Sequence, residues 1–278
     1  MDVLITHKNC PDGIACAAIA RVKNPKCKIH YCEHGDKVPH EKLKNQNVVI
    51  ADFSFAKEEL LAINEVAKSL QVLDHHKSVE QDLAGLEFCH FDMNKCGSML
   101  LWDYLNPNQK APKFLQHIQD RDIWEWKLPD SKEFLEGLDM SNWKLEDWSE
   151  AIANPNHDKL KLLTENGKIA IQYKKMILEK TMRNAFEANI EIANETVTLW
   201  AVNSAVLGSD LGHLLANLPK NKSQIGVVFS LEKEGHWKFG LRSIGEVDTI
   251  KIAKFFGGGG HKNASAFRSK DYVLKPVK

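Results

Sequence analysis

The spacing of apolar and polar positions divides the chain into two halves with different rhythms. In the first half, short apolar runs alternate with amphipathic stretches. Val3-Leu4-Ile5, Val48-Val49-Ile50-Ala51, Gln71-Val72-Leu73 and residues 86–91 read as strands, and residues 14–22, 57–69, 97–105 and 112–119 read as helices. This alternation predicts an α/β fold with a mostly parallel sheet and helices on both faces. Residues 158–188 are charged, with interleaved signs and few breakers, and read as a connecting helix after the turn Asn154-Pro155-Asn156. Residues 196–202, 224–231, 236–242 and 264–268 then read as strands, with helices at 209–218 and 249–256. They predict a smaller mixed α/β domain. The expected division is 1–155 for the first domain, 156–188 for the connecting helix and 189–278 for the second domain.

Composition narrows the function classes. Lys+Arg and Asp+Glu are both 37, so the formal net charge is zero. Proteins that track long nucleic acid usually carry a basic surplus, because neutralising phosphate supplies much of their affinity. Charge balance therefore favours small or short substrates. The six cysteines include no Cys-x-x-Cys pair, and they read as small core residues of a reduced protein. The sequence begins without the basic start and apolar run of a signal peptide. No stretch approaches the ~18 apolar residues of a membrane span. The expectation is a cytoplasmic protein with no membrane partner.

Candidate chemistry sits where the strands end. Val3-Leu4-Ile5 leads to His7 and Asp12, Val48–Ala51 to Asp52, and Gln71–Leu73 to Asp74-His75-His76. In open α/β sheets, ligands bind outside the carboxyl ends of the strands, so the connecting loops would gather these residues. Carboxylates held close together raise one another's pKa unless a cation is present. Mixed carboxylate and imidazole ligands suit Mn²⁺, Fe²⁺ or Zn²⁺ better than Ca²⁺. Two such ions can activate water and neutralise charge building on a phosphoryl group. Plainer roles compete with this reading. Asp12 also fits a helix N-cap, and a single His7 is more often a surface or core residue. Three adjacent polar groups directly after an apolar strand have no evident structural use.

Asp74-His75-His76 resembles the Asp-His-His signature of the DHH phosphoesterase superfamily. That group includes RecJ-type exonucleases, nanoRNA and pAp phosphatases, cyclic-dinucleotide phosphodiesterases and family II pyrophosphatases. His7-Lys8-Asn9-Cys10-Pro11-Asp12-Gly13 is similar to its first motif, Ala51-Asp52-Phe53-Ser54 to its second, and Asp120-Arg121-Asp122 to its fourth. In the last third, Gly240-Leu241-Arg242-Ser243 followed by Gly257-Gly258-Gly259-Gly260-His261 resembles the accompanying DHHA1 domain. The resemblance implies metal ligands at His7, Asp12, Asp52, Asp74, His75 and Asp120, with Asp122 the weaker candidate. Asp74, His75 and His76 form the implied catalytic group, His76 supporting a ligand or facing substrate rather than binding metal directly. Family members commonly carry a second aspartate two positions from Asp12. Here those positions hold Cys10 and Ile14, which leaves Cys10, Asn9 or water as alternatives for that ligand.

Four consecutive glycines cost backbone entropy, and their amides can cradle an anion. Arg242 offers a planar fork for phosphate. The expected substrate-binding set is Arg242, Ser243, Gly257, Gly258, Gly259, Gly260 and His261. The competing reading is a loop closing a helix, with Gly257 as its C-cap. Trp124 and Trp126 lie beside the fourth motif and read, like most tryptophans, as core or interface residues. The expected activity is metal-dependent phosphohydrolase or phosphodiesterase cleavage of nucleotides or short single-stranded oligonucleotides. The cofactor would be one or two divalent ions, Mn²⁺ first, with Mg²⁺, Fe²⁺ or Zn²⁺ as alternatives. A phosphodiesterase specific for cyclic mono- or dinucleotides and a non-catalytic nucleotide-binding protein are the rival readings, and a homodimer is compatible with either.

Overall fold

The computed structural model describes the chain apart from residues 9, 34, 39, 155–157, 194 and 278. Asn9, one alternative ligand, lies outside the described residues, as do Pro155 and Asn156 of the expected turn. The described chain forms two compact units, Met1–Ile171 and Gln172–Lys278. None of its helices is long and apolar enough to cross a membrane.

The first unit contains β1 (Val3–His7), α1 (Pro11–Lys23), β2 (Lys28–Cys32), α2 (His40–Leu43), β3 (Asn47–Ala51), α3 (Lys57–Val66) and β4 (Ser69–Asp74). These are followed by α4 (Lys77–Leu83), β5 (Cys89–Phe91), α5 (Gly97–Leu105), α6 (Lys113–Asp122), α7 (Ser131–Met140) and α8 (Leu145–Ala153). The strands form one parallel sheet in the order β2-β1-β3-β4-β5. The two-residue period of a strand explains its near-continuous apolar runs. Leu4, Val49, Ala51 and Leu73 face one core, whereas Val3, Ile5, Val48, Ile50 and Val72 face another on the opposite side. Helix α1 begins with Pro11 at its first turn, where the missing N–H costs nothing. Its alanines allow close packing against β1, α5 and α8, so almost every side of it is buried.

Helix α9 (Asp158–Met182) follows, and the division between the units falls within it. The tail of the expected helix is instead strand: β6 (Phe186–Ile192) starts four residues after α9 ends. Its alternation places Ala188 and Ile190 in a core at 0% exposure. The second unit continues with β7 (Glu195–Asn203), α10 (Gly208–Ala216), β8 (Ile225–Leu231), β9 (Trp237–Ser243) and α11 (Ile250–Phe255). It ends with β10 (Gly259–His261), β11 (Ala264–Ser269) and β12 (Lys275–Pro276). The mixed sheet runs β10-β11-β9-β8-β7-β6-β12, and β7 and β8 are its parallel pair. Phe229, Phe239 and Phe267 pack with α11 residues Ile252 and Ala253 on one face. Trp200, Val202 and Val228 pack with α10 residues Leu211 and Leu215 on the other. The architecture is the expected one: a parallel sheet flanked by helices, joined to a smaller mixed α/β unit.

Candidate metal centre

The carboxyl ends of β1, β3 and β4 bring the predicted acids together. Asp12, Asp52 and Asp74 are all buried, at 0%, 1% and 0% exposure. Asp12 does not cap α1. Cys10 holds the N-cap position, and Asp12 lies in the first turn, where the positive end of the helix favours a carboxylate. The amide of Ser98, in the first turn of α5, donates to Asp12 Oδ1 at 3.1 Å.

Asp52 follows β3 in the left-handed region at φ +55°, a conformation uncommon for a residue with a side chain. Its amide stays in the sheet, donating to the Leu73 carbonyl at 3.1 Å. Gly97 packs directly on it: a Cβ at residue 97 would come within 2.4–2.6 Å of Asp52 Cβ, Cα and N. Gly13 packs in the same way on the His7 carbonyl, 2.1 Å from where its Cβ would stand. Backbone contacts that exclude any side chain thus set the first and second motifs.

Asp74 ends β4 and is held by three donors. The Ser54 hydroxyl donates to Oδ2, the His75 amide donates to Oδ1 at 2.8 Å, and His76 Nδ1 lies 2.6 Å from Oδ1. His75 Nε2 stands 3.3 Å from both Asp52 Oδ1 and Asp122 Oδ2. Three overlapping groups have ligand atoms within 4.8 Å of one another: Asp52, Asp74, His75 and His76; His7, Cys10 and Asp52; and Asp12, His75 and Asp122. Asp52 and His75 link them into one centre.

The electrostatics leave this centre a cation short. Asp12 Oδ2, Asp52 Oδ2 and Asp122 Oδ2 are buried without a hydrogen-bond partner. Among the described residues, no lysine or arginine forms an ion pair with Asp12, Asp52, Asp74 or Asp122. Burial, reinforced by the Asp12 charge, pushes the Asp52 carboxyl up to about 8. The same two causes push Asp122 to about 6. Burial opposes charge on His75, but its bond to Asp52 and the charges of Asp122 and Asp12 outweigh that and raise it to about 9. Burial likewise pushes Asp74 up, but its bonds from His76, Ser54 and the His75 amide prevail and hold it below the ordinary carboxylate range. Without metal, Asp52 and His75 hold protons near neutral pH. A divalent ion would replace the protons and occupy the orphaned oxygens, so the donor set fits such an ion.

The fourth motif behaves differently from expectation. Asp120 is buried but stands outside all three groups. Its carboxylate accepts the amides of Lys127 at 2.7 Å and Leu128 at 3.3 Å. Asp122 is the one that reaches His75. The helical period contains the signal: Asp122 lies seven and four residues after the buried Leu115 and Ile118, and so continues the inward stripe of α6. Asp120 projects from another side of the helix.

In the second unit, Arg242 is braced by Gly212, whose absent Cβ would meet its Cγ at 2.8 Å. It donates to Ser209 Oγ at 2.7 Å and to the Leu241 carbonyl at 2.8 Å. Ser243 is buried and donates to the Val247 carbonyl at 2.6 Å. Gly257 is left-handed at φ +76°, and the amides of Gly257 and Gly258 bond back to Lys254 and Ala253, closing α11. Gly258 and Gly260 lie too close to the backbone of β11 to admit a Cβ. Gly259 and Gly260 form β10 with the exposed His261. A helix cap needs one glycine, whereas close approach to the neighbouring strand accounts for two more. Sequence spacing alone does not show that second use.

Residues 166–276 match the model of the DHHA1 domain. The chain is 31% identical over 287 residues to uncharacterized protein R106 of Acanthamoeba polyphaga mimivirus; the match spans 95% of this chain and 66% of that protein. Among solved structures, the pGpG-specific phosphodiesterase PggH of Vibrio cholerae superposes with a TM-score of 0.55. It is 12% identical, covering 96% of this chain and 93% of that one. RecJ of Thermus thermophilus in complex with Mn²⁺ gives a TM-score of 0.42 at 14% identity, over 95% of this chain and 49% of that one. Residues 166–276 thus match a DHHA1 domain, and the chain as a whole shares its fold with PggH at low identity.

Proposed function

We propose that this protein is a metal-dependent phosphohydrolase that cleaves phosphoester bonds of nucleotides or short oligonucleotides. The observation that supports it best is the convergence of Asp12, Asp52, Asp74, His75 and Asp122 around buried carboxylate oxygens that have no partner. Those five residues, with His7, are the proposed metal-holding set. Asp122 takes the place expected for Asp120. A bound divalent ion supplies Lewis-acid polarisation of the phosphoryl group and makes water nucleophilic at neutral pH.

The chain's own residues do the rest. Asp74 orients His75 and His76 through its hydrogen bonds. The bond from Asp74 raises the His76 pKa, so His76 is placed to hold a proton for the leaving oxygen. Arg242, His261 and the exposed glycines of β10 are the proposed phosphate-binding set of the second unit. Ser243 is a less suitable contact, because its hydroxyl is engaged within the fold. A linear dinucleotide leads the substrate choices, because PggH, which shares the fold, is named for one.

The test is turnover of linear dinucleotides, cyclic dinucleotides, pAp and short oligonucleotides, each with Mn²⁺ and with chelator. Mn²⁺-dependent release of product that Asp74→Ala abolishes is the expected result. Cys10 and Ile14, which stand where carboxylates are common, favour a second reading, a non-catalytic nucleotide binder. Tight nucleotide binding with no turnover on any substrate would establish that reading instead.

A further inference from the structure

The loop leaving α6 exposes one tryptophan just after the aspartate by which that helix reaches the metal centre. Asp122 ends α6 with its carboxylate 3.3 Å from His75 Nε2, and Trp124 comes two residues later. Trp124 is 74% exposed, the highest value among the described large hydrophobic residues. Its posture is built rather than relaxed. Trp124 and Trp126 both adopt left-handed backbone, at φ +58° and +53°, which is rare for bulky residues and persists only where the surroundings impose it.

Asp120 imposes it. Its carbonyl accepts the amides of Glu125 at 2.9 Å and Trp126 at 3.1 Å, and its carboxylate accepts those of Lys127 at 2.7 Å and Leu128 at 3.3 Å. One buried residue therefore fixes four consecutive amides. Trp126, half-buried against the core, meets Trp124 edge-to-face, with ring centroids 5.2 Å apart and planes at 79°. Lys132 Nζ lies 5.5 Å from the Trp126 ring centroid and steadies it from another direction. This leaves the Trp124 ring largely exposed, on a backbone fixed two residues along the chain from a proposed metal-holding aspartate.

We propose that Trp124 is a stacking platform for a nucleobase of the substrate, and that Asp120 is the positioning residue that holds it in place. The proposal rests on the phosphohydrolase reading above and deepens it: the centre would select phosphoesters that carry a base over those that do not. Base–aromatic stacking tolerates any base, because every base has a π-face, so the preference would be for the presence of a base rather than its identity.

The test uses the full chain with Mn²⁺ and two substrates: a linear dinucleotide, and its abasic analogue with hydrogen at each C1′. Trp124→Ala should raise KM for the dinucleotide roughly 5- to 150-fold, the range expected of one stacked base, while changing kcat less. Trp124→Phe should restore most of the affinity. The abasic analogue should be a poor substrate for the wild type and equally poor for the variants. Asp120→Asn should raise KM for the dinucleotide only, with its circular dichroism spectrum unchanged. Equal losses on both substrates in Trp124→Ala would overturn the proposal while leaving the metal centre standing. Should the wild type turn over nothing, binding still decides the matter. AMP should then quench intrinsic fluorescence in the wild type and not in Trp124→Phe, whereas equal quenching, or none, would overturn the stacking role.

Discussion

The two units bury different kinds of polar group: among the described residues, only the first buries carboxylates, and the second buries hydroxyls and an amide. In the second unit, Thr249, Ser265, Ser243 and Asn221 are buried and fully occupied. Ser265 bonds to Thr249, Asn263 donates to Ser243, and Asn221 donates to the Leu215 and Ile225 carbonyls. In the first unit, the buried Asp12 and Asp52 each leave a carboxylate oxygen without a hydrogen-bond partner at one edge of the sheet, and Asp122 Oδ2 faces only His75 there. Native structures rarely tolerate such groups. Among the described residues, buried carboxylate oxygens without a hydrogen-bond partner lie only at that edge of the first unit, which sets it apart from the polar groups that serve the fold.

Asp52→Asn should break this contrast most sharply. Replacing a carboxyl that the metal-free protein holds protonated near neutral pH should abolish Mn²⁺-dependent turnover, with a loss of at least about 10³-fold, while the metal-free protein melts at the same or a higher temperature. A combined activity and thermal-melt measurement checks both halves, and a large fall in melting temperature would count against the crowding argument.

Mn²⁺ itself should stabilise the wild type by about 2.7 kcal/mol at a hundred times its dissociation constant. The shift should vanish in Asp52→Asn and survive in Arg242→Ala, as differential scanning fluorimetry with and without chelator can show. Gly97→Ala should cost about 1–3 kcal/mol, because the new methyl strikes the Asp52 backbone rather than a side chain that could move. Urea denaturation measures that cost, and the metal-induced shift should shrink with it. Ser265→Ala should cost about 1–3 kcal/mol by stranding its partners, yet leave Mn²⁺ affinity unchanged.

The smallest effect concerns His117, which is stacked on Phe134 and 3.1 Å from Ser131 Oγ. Burial lowers its pKa below the ordinary histidine value. The unfolded chain therefore binds the proton more readily, and stability rises with pH between the folded pKa and about 6.5. His117→Gln should flatten that part of the stability–pH curve and leave metal binding alone.

Much of this is legible in the chain because the strands that position the site are buried on both faces. Their continuous apolar runs make β1, β3 and β4 visible, and so also the residues just beyond them. β2 escapes such a reading: Lys28–Cys32 is partly exposed at the sheet edge, and its mixed polarity resembles a loop. The start of β6 reads as helix because it follows a charged helix with only a three-residue break, and its alternation is short. The choice of Asp120 over Asp122 follows motif order, whereas the structure follows helical phase. Trp124 reads as interior because tryptophan usually is, and no pattern in the sequence reveals that two left-handed residues turn it outward.

The outer strands of the seven-stranded sheet bear on how the protein behaves at high concentration. A sheet border with free amides and carbonyls can recruit a neighbouring chain and polymerise. Here one border is the two-residue strand Lys275–Pro276, where proline offers no donor and lysine adds charge. The other is the three-residue strand Gly259–His261, mostly glycine, whose lack of side chains gives an incoming strand little to grip. The two outermost strands themselves thus offer an incoming strand little to pair with or to grip.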